Sequence, residues 1–418
     1  MIKKNKKIIT GIEIGTAKVL VLIGEISPDN TINIIGIGNH LSHGMNKGGV
    51  NNLQSIIKCT KKAINQAELM ANYKISSIYL ALSGKHINCK NGTGTVYITK
   101  EEVTNKDIEN VIQSAKSVYI GNEYRILHTI PQEYIIDYQE GIKNPIGLSG
   151  LHMQVKAHLI TCHIDMTKNI IKVIKQCGLK IKKIIFSGLA SSYAVLTKDE
   201  RKLGTCVVDI GAGTIDIVIY IADTLRYIKV IPYAGNTVTN DIACAFSSPT
   251  TEAEIIKIRY GCAIESLINK KNIKTPEING KPSKNYQQQI LAKVIESRYT
   301  ELLYLINNEI LQLQDNIRNT GGIHHLSGGI IFTGGGSQIP GLIERAQQIF
   351  NSPVRIGYPI YIASPTEIMK KPHYSTAIGL LQYGKDSQNK KKKKTKKQIS
   401  LFTLIKKFNY WLKNFKYL

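Results

Sequence analysis

Glu13 and Asp209 each close an apolar run and stand directly before a glycine turn, EIGTAK at 13–18 and DIGAGT at 209–214, placed 196 residues apart. In the first turn Gly15, Thr16 and Ala17, and in the second Gly211, Ala212, Gly213 and Thr214, form loops whose N–H groups can converge on anionic oxygens, because glycine lets backbone approach a ligand closely. A third turn, Gly334, Gly335, Gly336 and Ser337, follows the apolar run GIIFT. Such loops in pairs suit a polyphosphate gripped from two sides. Carboxylates at 13 and 209 suit Mg²⁺ held through water rather than by direct ligation, since Mg²⁺ keeps much of its hydration shell. Lys18 adds a point charge for a phosphate, and Asp216 shares side-chain parity with Thr214.

Two other phosphate chemistries are excluded. A dinucleotide fingerprint needs its glycines to open a helix, whereas KVLVLI after the first turn and IDIVIY after the second read as strands. A Walker A loop needs GxxxxGK[ST], which the chain lacks.

The elements that must carry these turns repeat. KIITGIEIG, KVLVLIGEI and TINIIGIGN read as three strands, followed by a helix from about Leu53 to Met70 with apolar residues at 3-4 spacing. GTCVVDIGAGT, IDIVIYIAD and TLRYIKVIPYAG repeat the strands, with a helix beginning around 237–241. The expectation is an α/β protein of two duplicated halves around a cleft. Residues 84–165 read as an inserted α/β unit, with strands TGTVYIT, YRILHTI, QEYIIDY and HMQVKAHLIT and a helix over 105–118. The expected division is 1–83 with 166–204 and about 365–384 as the first half, and 205–234 with about 306–364 as the second. A mainly helical unit spans 235–305, a Lys-rich linker 385–399, and a terminal amphipathic helix 400–418.

The net charge of +25 is uneven, with 12 lysines and one aspartate in residues 385–418. No basic stripe interleaved with aromatics marks the rest, which argues against a nucleic-acid partner. Seven scattered cysteines without a CxxC pair read as thiols of a reducing compartment, buried or inert. No run of eighteen apolar residues is present and no secretory signal pattern opens the chain, so the expected location is cytoplasmic.

The two hairpins with IFTGGGSQIPGL resemble the first phosphate, second phosphate and adenosine motifs of the actin superfamily of ATPases. Phe186-Ser187-Gly188-Leu189-Ala190 and Ser375-Thr376-Ala377-Ile378-Gly379 resemble its two hinge segments. Glu13 departs from the usual aspartate of the first motif. Within that superfamily, LALSGKHI at 80–87, IPQEYIIDYQEGIKNPIGLSG at 130–150, GLASSYAVL at 188–196 and YSTAIGLLQYGK at 374–385 resemble the FtsA family of bacterial cell-division proteins, over residues 8–385 and in the same order. The resemblance implies an actin-like ATPase fold in which 84–165 is the family's subdomain 1C, beside subdomains 1A, 2A and 2B. It implies ATP with Mg²⁺ as cofactor, at most slow hydrolysis, polymerisation with itself, tethering of FtsZ to the cytoplasmic face of the inner membrane, and recruitment of later division proteins to the septum. By the same resemblance Glu254 and Lys257 line the ribose and adenine, and Arg298, Tyr299 and Glu301 meet the FtsZ C-terminal tail. An actin-fold phosphotransferase of the sugar-kinase kind and a pilus-platform protein remain as alternatives at this point.

The segment SLFTLIKKFNYWLKNFKYL supplies its own argument. At 100° per residue Leu401, Leu404, Ile405, Phe408, Trp411, Leu412 and Phe415 share one face, and Lys406, Lys407 and Lys413 lie largely on the others. A basic helix with Trp and Phe on its apolar side suits the headgroup boundary of an anionic membrane, and it is too short and too charged to span one.

Overall fold

The computed structural model describes residues 7–268, 272–274, 285–319, 325–360 and 370–389. Two five-stranded sheets form its frame. The first has the spatial order Lys180–Phe186, Ser77–Leu82, Lys7–Ile14, Lys18–Ile26, Ile32–Leu41, and the second the order Val354–Ile356, Ile330–Thr333, Thr205–Ile210, Ile215–Ile221, Thr224–Ile231. In each, the strand that leads into an acidic glycine turn pairs antiparallel with the next strand and parallel with a later one. The duplication extends to single bonds: Gly15 N donates to Lys18 O at 2.9 Å, and Gly211 N to Thr214 O at 2.9 Å.

Strands such as KVLVLIGEI are apolar along most of their length because both faces of the sheet are covered. Residues of Thr205–Ile210 alternate between two cores. Val207 packs with the first half, while Cys206, Val208 and Ile210 pack with the second. The helix Ser187–Val195 and the helix over 375–389 lie on the first-half side of that sheet, and they cross at Gly379, where a Cβ would stand 1.7 Å from Ala190 O. No side chain fits there without separating the two helices.

The insertion leaves the first sheet after Leu82 and returns at Ile164. Its own four-stranded sheet has the order Ile87–Tyr97, His152–His163, Tyr124–Ile136, Gln139–Ile142, with the helix Asn105–Ala115 packed on it. That helix begins in a Thr104/Asp107 capping box and stops three residues short of the expected 118. YRILHTI and QEYIIDY, expected as separate strands, are one strand. Pro131 does not break it, because the register shifts beside it and leaves Gln132 as the extra residue of a bulge.

Three further expectations meet the structure differently. The boundary at 305/306 falls inside the single helix Gln288–Asn319. The final helix runs to residue 389, so 385–389 are helical rather than linker. Lys385 Nζ donates to Asn30 O and Asn389 to the Asn30 side chain, each at 3.2 Å, which fastens this end to the hairpin of the first sheet. Of the cysteines, Cys244 is exposed. The amphipathic segment 400–418, and with it Leu401, Leu404, Ile405, Lys406, Lys407, Phe408, Trp411, Leu412, Lys413 and Phe415, lies outside the described residues. Among the described residues no helix is long and apolar enough to cross a membrane.

Three histidines of the insertion and its root are buried: His86, His128 and His158. Burial lowers them from 6.5 to about 4, about 3 and about 4 respectively. The folded state therefore holds them neutral where the unfolded chain takes up protons. Their contribution to stability is complete above pH 6.5 and is lost as pH falls toward 4. Amides of residues 87–163, corrected for intrinsic exchange rate, should accordingly lose hydrogen-exchange protection between pH 6.5 and 5, by about tenfold or more. Unchanged protection would contradict this.

Candidate functional site

The two acidic turns face each other across a cleft between the halves, and at Gly213 a Cβ would come within 2.4 Å of Thr16 Oγ1. Between them lies a cavity of about 520 Å³. It is lined by Glu13, Gly15, Thr16, Ala17 and Lys18 from the first half, and by Asp209, Gly211, Ala212, Gly213, Thr214 and Asp216 from the second. Glu254 and Lys257, on the helix Thr250–Tyr260, and Gly334, Gly335 and Gly336 complete the wall. The fold thus gathers into one pocket residues that the sequence scatters over more than 300 positions. Ser337 does not join them. Its buried hydroxyl turns back to donate to Gly334 O at 2.8 Å, closing the 3-10 turn Gly335–Gln338.

Glu13, Asp209 and Asp216 come together with Lys18 as the nearby cation. Asp209 and Asp216 are opposite one another in the antiparallel pair. Burial raises the Glu13 carboxyl to about 7, with Lys18 pulling it down and Asp209 pushing it up. Burial likewise raises Asp209, and it raises Asp216 well above the usual carboxylate range with Asp209 adding repulsion. Asp209 accepts from Thr376 Oγ1 at 3.0 Å, and Asp216 from Ser83 Oγ. Glu13 Oε2 is buried and has no hydrogen-bond partner. Lys18 Nζ donates to His373 O and lies 5.5 Å from the Tyr374 ring centroid. A buried, underpartnered carboxylate beside two others fits a hydrated divalent cation. Among the described residues no group of three His, Cys, Asp or Glu is placed to hold a metal directly.

At the other end of the pocket Lys257 Nζ reaches Gly235 O at 3.0 Å, Thr239 Oγ1 at 2.8 Å and Glu254 Oε2 at 2.6 Å. Burial lowers the Lys257 ammonium, and Glu254 opposes that shift. The pair is therefore fixed in place at the pocket wall, with Glu254 partly exposed toward the cavity.

The three residues that the resemblance implied as a partner contact divide. Arg298 is clamped by Asp241, at 2.5 Å and 3.1 Å, and also donates to Glu301. Arg298 and Glu301 stay outside the pocket. Tyr299 is only 2% exposed, lines the pocket and donates its hydroxyl to Gly336 O at 2.8 Å, so its ring is not available to an outside partner. Neighbours on a helix point about 100° apart, and the 3-4 periodicity of this helix places Tyr299 inward with Leu302, Leu303 and Ile306.

Sequence reasoning assigned no site role to Ser83, Gly235, His373 or Thr376, all of which line the cavity. Ser83 and Thr376 stand in the family-like stretches LALSGKHI and STAIG, and a hydroxyl directly after an apolar run, for Ser83, or directly before one, for Thr376, is the signal they offered.

Two sheets of identical strand order, meeting at paired glycine turns across a cleft, define an actin-like ATPase fold. Solved structures agree on the fold: the PilM-PilN type IV pilus biogenesis complex has a TM-score of 0.64 at 17% identity, covering 90% of this chain and 98% of that one. MreB 5 of Spiroplasma citri bound to AMPPNP has a TM-score of 0.54 at 15% identity, covering 93% and 98%. Family models then match "Cell division protein FtsA" over residues 206–379 and "SHS2 domain inserted in FTSA" over 84–161. The cell division protein FtsA of Escherichia coli strain K12 is 56% identical over 412 residues, 98% of each chain. The chain belongs to the FtsA family of cell-division proteins.

Proposed function

We propose that this protein binds ATP with Mg²⁺ in the cleft, polymerises with copies of itself, and tethers FtsZ filaments to anionic lipid on the cytoplasmic face of the inner membrane, where it recruits later division proteins to the septum. The observation that carries the reading is the meeting of two duplicated glycine turns, the buried Asp209 and Asp216 and the half-buried Glu13 in one cleft, in a chain of a cell-division family. The fold neighbour's AMPPNP supports a nucleotide as ligand. The two glycine turns bring backbone N–H groups to the cavity wall where phosphate oxygens could accept from them, Lys18 supplies a positive charge, and Glu254 with Lys257 offers polar partners at the far wall. Mg²⁺ would neutralise phosphate charge there, held through water by Glu13 and Asp209. Glycine turns and acids of this kind also serve phosphotransferases, but family membership favours a division role over a sugar kinase, and the pilus protein's 17% identity carries likeness of fold alone.

The direct test is co-sedimentation of FtsZ filaments with anionic liposomes, expected only when this protein and ATP are both present. FtsZ that pellets equally without the protein, or never pellets with it, refutes the tether. For the FtsZ contact, the exposed edge of Arg298 and Glu301 is the proposed surface. Arg298→Glu should weaken retention of the FtsZ C-terminal tail by about tenfold, since reversing one charge at an interface costs on the order of 1–2 kcal/mol. Nucleotide affinity should stay within about twofold of wild type, because Arg298 lies outside the cavity.

A further inference from the structure

The inserted sheet is bound to both halves, by covalent attachment to one and by side chains to the other. It grows out of the first half at Ser83-Gly84 and returns at His163-Ile164. From it, three side chains donate to backbone carbonyls of the second half's outer hairpin. Lys143 Nζ reaches Ala222 O at 2.6 Å, Gln132 Nε2 reaches Leu225 O at 3.0 Å, and Cys89 Sγ reaches Ile228 O at 3.4 Å. Gln132 can do so because it is the extra residue of the bulge beside Pro131, and a bulge re-aims a side chain. At the root of the insertion, Ser83 Oγ donates to Asp216 Oδ1 and lies 3.3 Å from Thr214 Oγ1, on the second half's phosphate-type hairpin.

Opening the cleft moves one half relative to the other. An element covalently tied to the first half and hydrogen-bonded along the edge of the second cannot follow both. We propose that the inserted sheet is a strap, and that Gln132, Lys143 and Ser83 are positioning residues that hold the cleft in its closed, ligand-gripping state. Docking of the strap and binding of nucleotide are then linked, and each strengthens the other by the same factor. This rests on the nucleotide reading of the cleft and adds its regulation: whatever pulls the insertion off the second half loosens the nucleotide. A plain cover for an edge strand would make the same contacts without that linkage.

The test uses the full-length protein carrying Gln132→Ala with Lys143→Ala, neither of which lines the cavity. Equilibrium titration with a fluorescent ATP analogue should show affinity reduced about 5- to 30-fold, the range of ordinary coupling between sites. Lys143→Arg, which keeps a donor, should hold affinity near wild type. Labels at exposed Cys244 and at Tyr138→Cys, a position 99% exposed on the insertion, report the geometry directly. Their separation should narrow to one distribution on adding ATP in the otherwise wild-type chain and stay broad in the double variant. Wild-type affinity in the double variant overturns the strap, as does a loss that Lys143→Arg shares. If the unaltered protein binds no nucleotide at all, the reading of the cleft falls first and the strap with it, and that result is distinct from a strap that fails while the cleft still binds.

Discussion

A Glu13→Gln variant should melt several degrees above the unaltered protein in the absence of nucleotide, and should bind Mg²⁺-ATP at least tenfold more weakly. The two effects have one cause. Glu13 is held where burial raises its carboxyl to about 7 and leaves Oε2 without a partner, close to Asp209. The sign follows from linkage. A carboxyl raised above its unfolded value of 4.5 contributes its stability in the protonated form, and that contribution is lost as pH rises through about 7. At pH 8 the folded chain therefore carries a buried charge that an amide of the same shape would not. Removing it should add about 1–3 kcal/mol, because each tenfold displacement of a protonation equilibrium is worth roughly 1.4 kcal/mol and the neighbouring acids share the charge. The gain should shrink at pH 5, where Glu13 is already protonated. Calorimetry at pH 8 and pH 5, beside titration with ATP in the presence and absence of Mg²⁺, measures both effects. A variant no more stable than wild type at pH 8 would show that the carboxylate is not strained. Undiminished Mg²⁺-ATP affinity would remove Glu13 from the site. Stability given up at a binding site in exchange for ligand complementarity is the general pattern this expects.

Deleting residues 400–418 should abolish sedimentation with anionic liposomes while leaving ATP affinity within about twofold of the full chain. Wound as a helix, that segment would carry seven large apolar side chains on one face, and each would contribute roughly 1.5–3 kcal/mol on burial before the cost of ordering is subtracted. Each lysine close to an anionic surface adds about 1 kcal/mol. Against this stands the cost of forming a short helix that is marginal in water, so reversible, salt-sensitive attachment is the expected outcome. Trp411→Asp should achieve most of the deletion's effect by placing a charge in the middle of the apolar face. Liposome binding retained by the truncated protein would refute the assignment of this segment. The nucleotide control is chosen because the described lining of the cleft comes from residues between Glu13 and Thr376.

The sequence by itself determined the duplicated strand-turn-strand pattern and its glycine turns, because both are local. A near-continuous apolar run ending in an acid and a glycine turn is written in consecutive residues, and its recurrence 196 positions later makes the halves legible. It also announced the insertion. Local pattern was misleading where a long-range contact decided the outcome. Pro131 reads as a break between strands, yet pairing with His152–His163 absorbs it as a bulge. Residues 385–389 read as polar linker, yet bonds to Asn30 keep them helical. Arg298, Tyr299 and Glu301 read as one surface, yet helix geometry turns the tyrosine into the pocket.

Only the tertiary structure decided that Glu13, Asp209 and Asp216 share one buried volume, since their separations in sequence carry no distance information across a cleft. The same holds for Ser83, whose partners at Thr214 and Asp216 stand more than 130 positions away, and for Gln132 and Lys143 on the second half's edge. Pairing in a strand follows from neighbouring residues, whereas the closeness of two halves follows from how their cores pack at a hinge. Gly188 of the first half, where a Cβ would stand 2.8 Å from Val218 Cγ2 of the second, is one point at which that packing sets the distance.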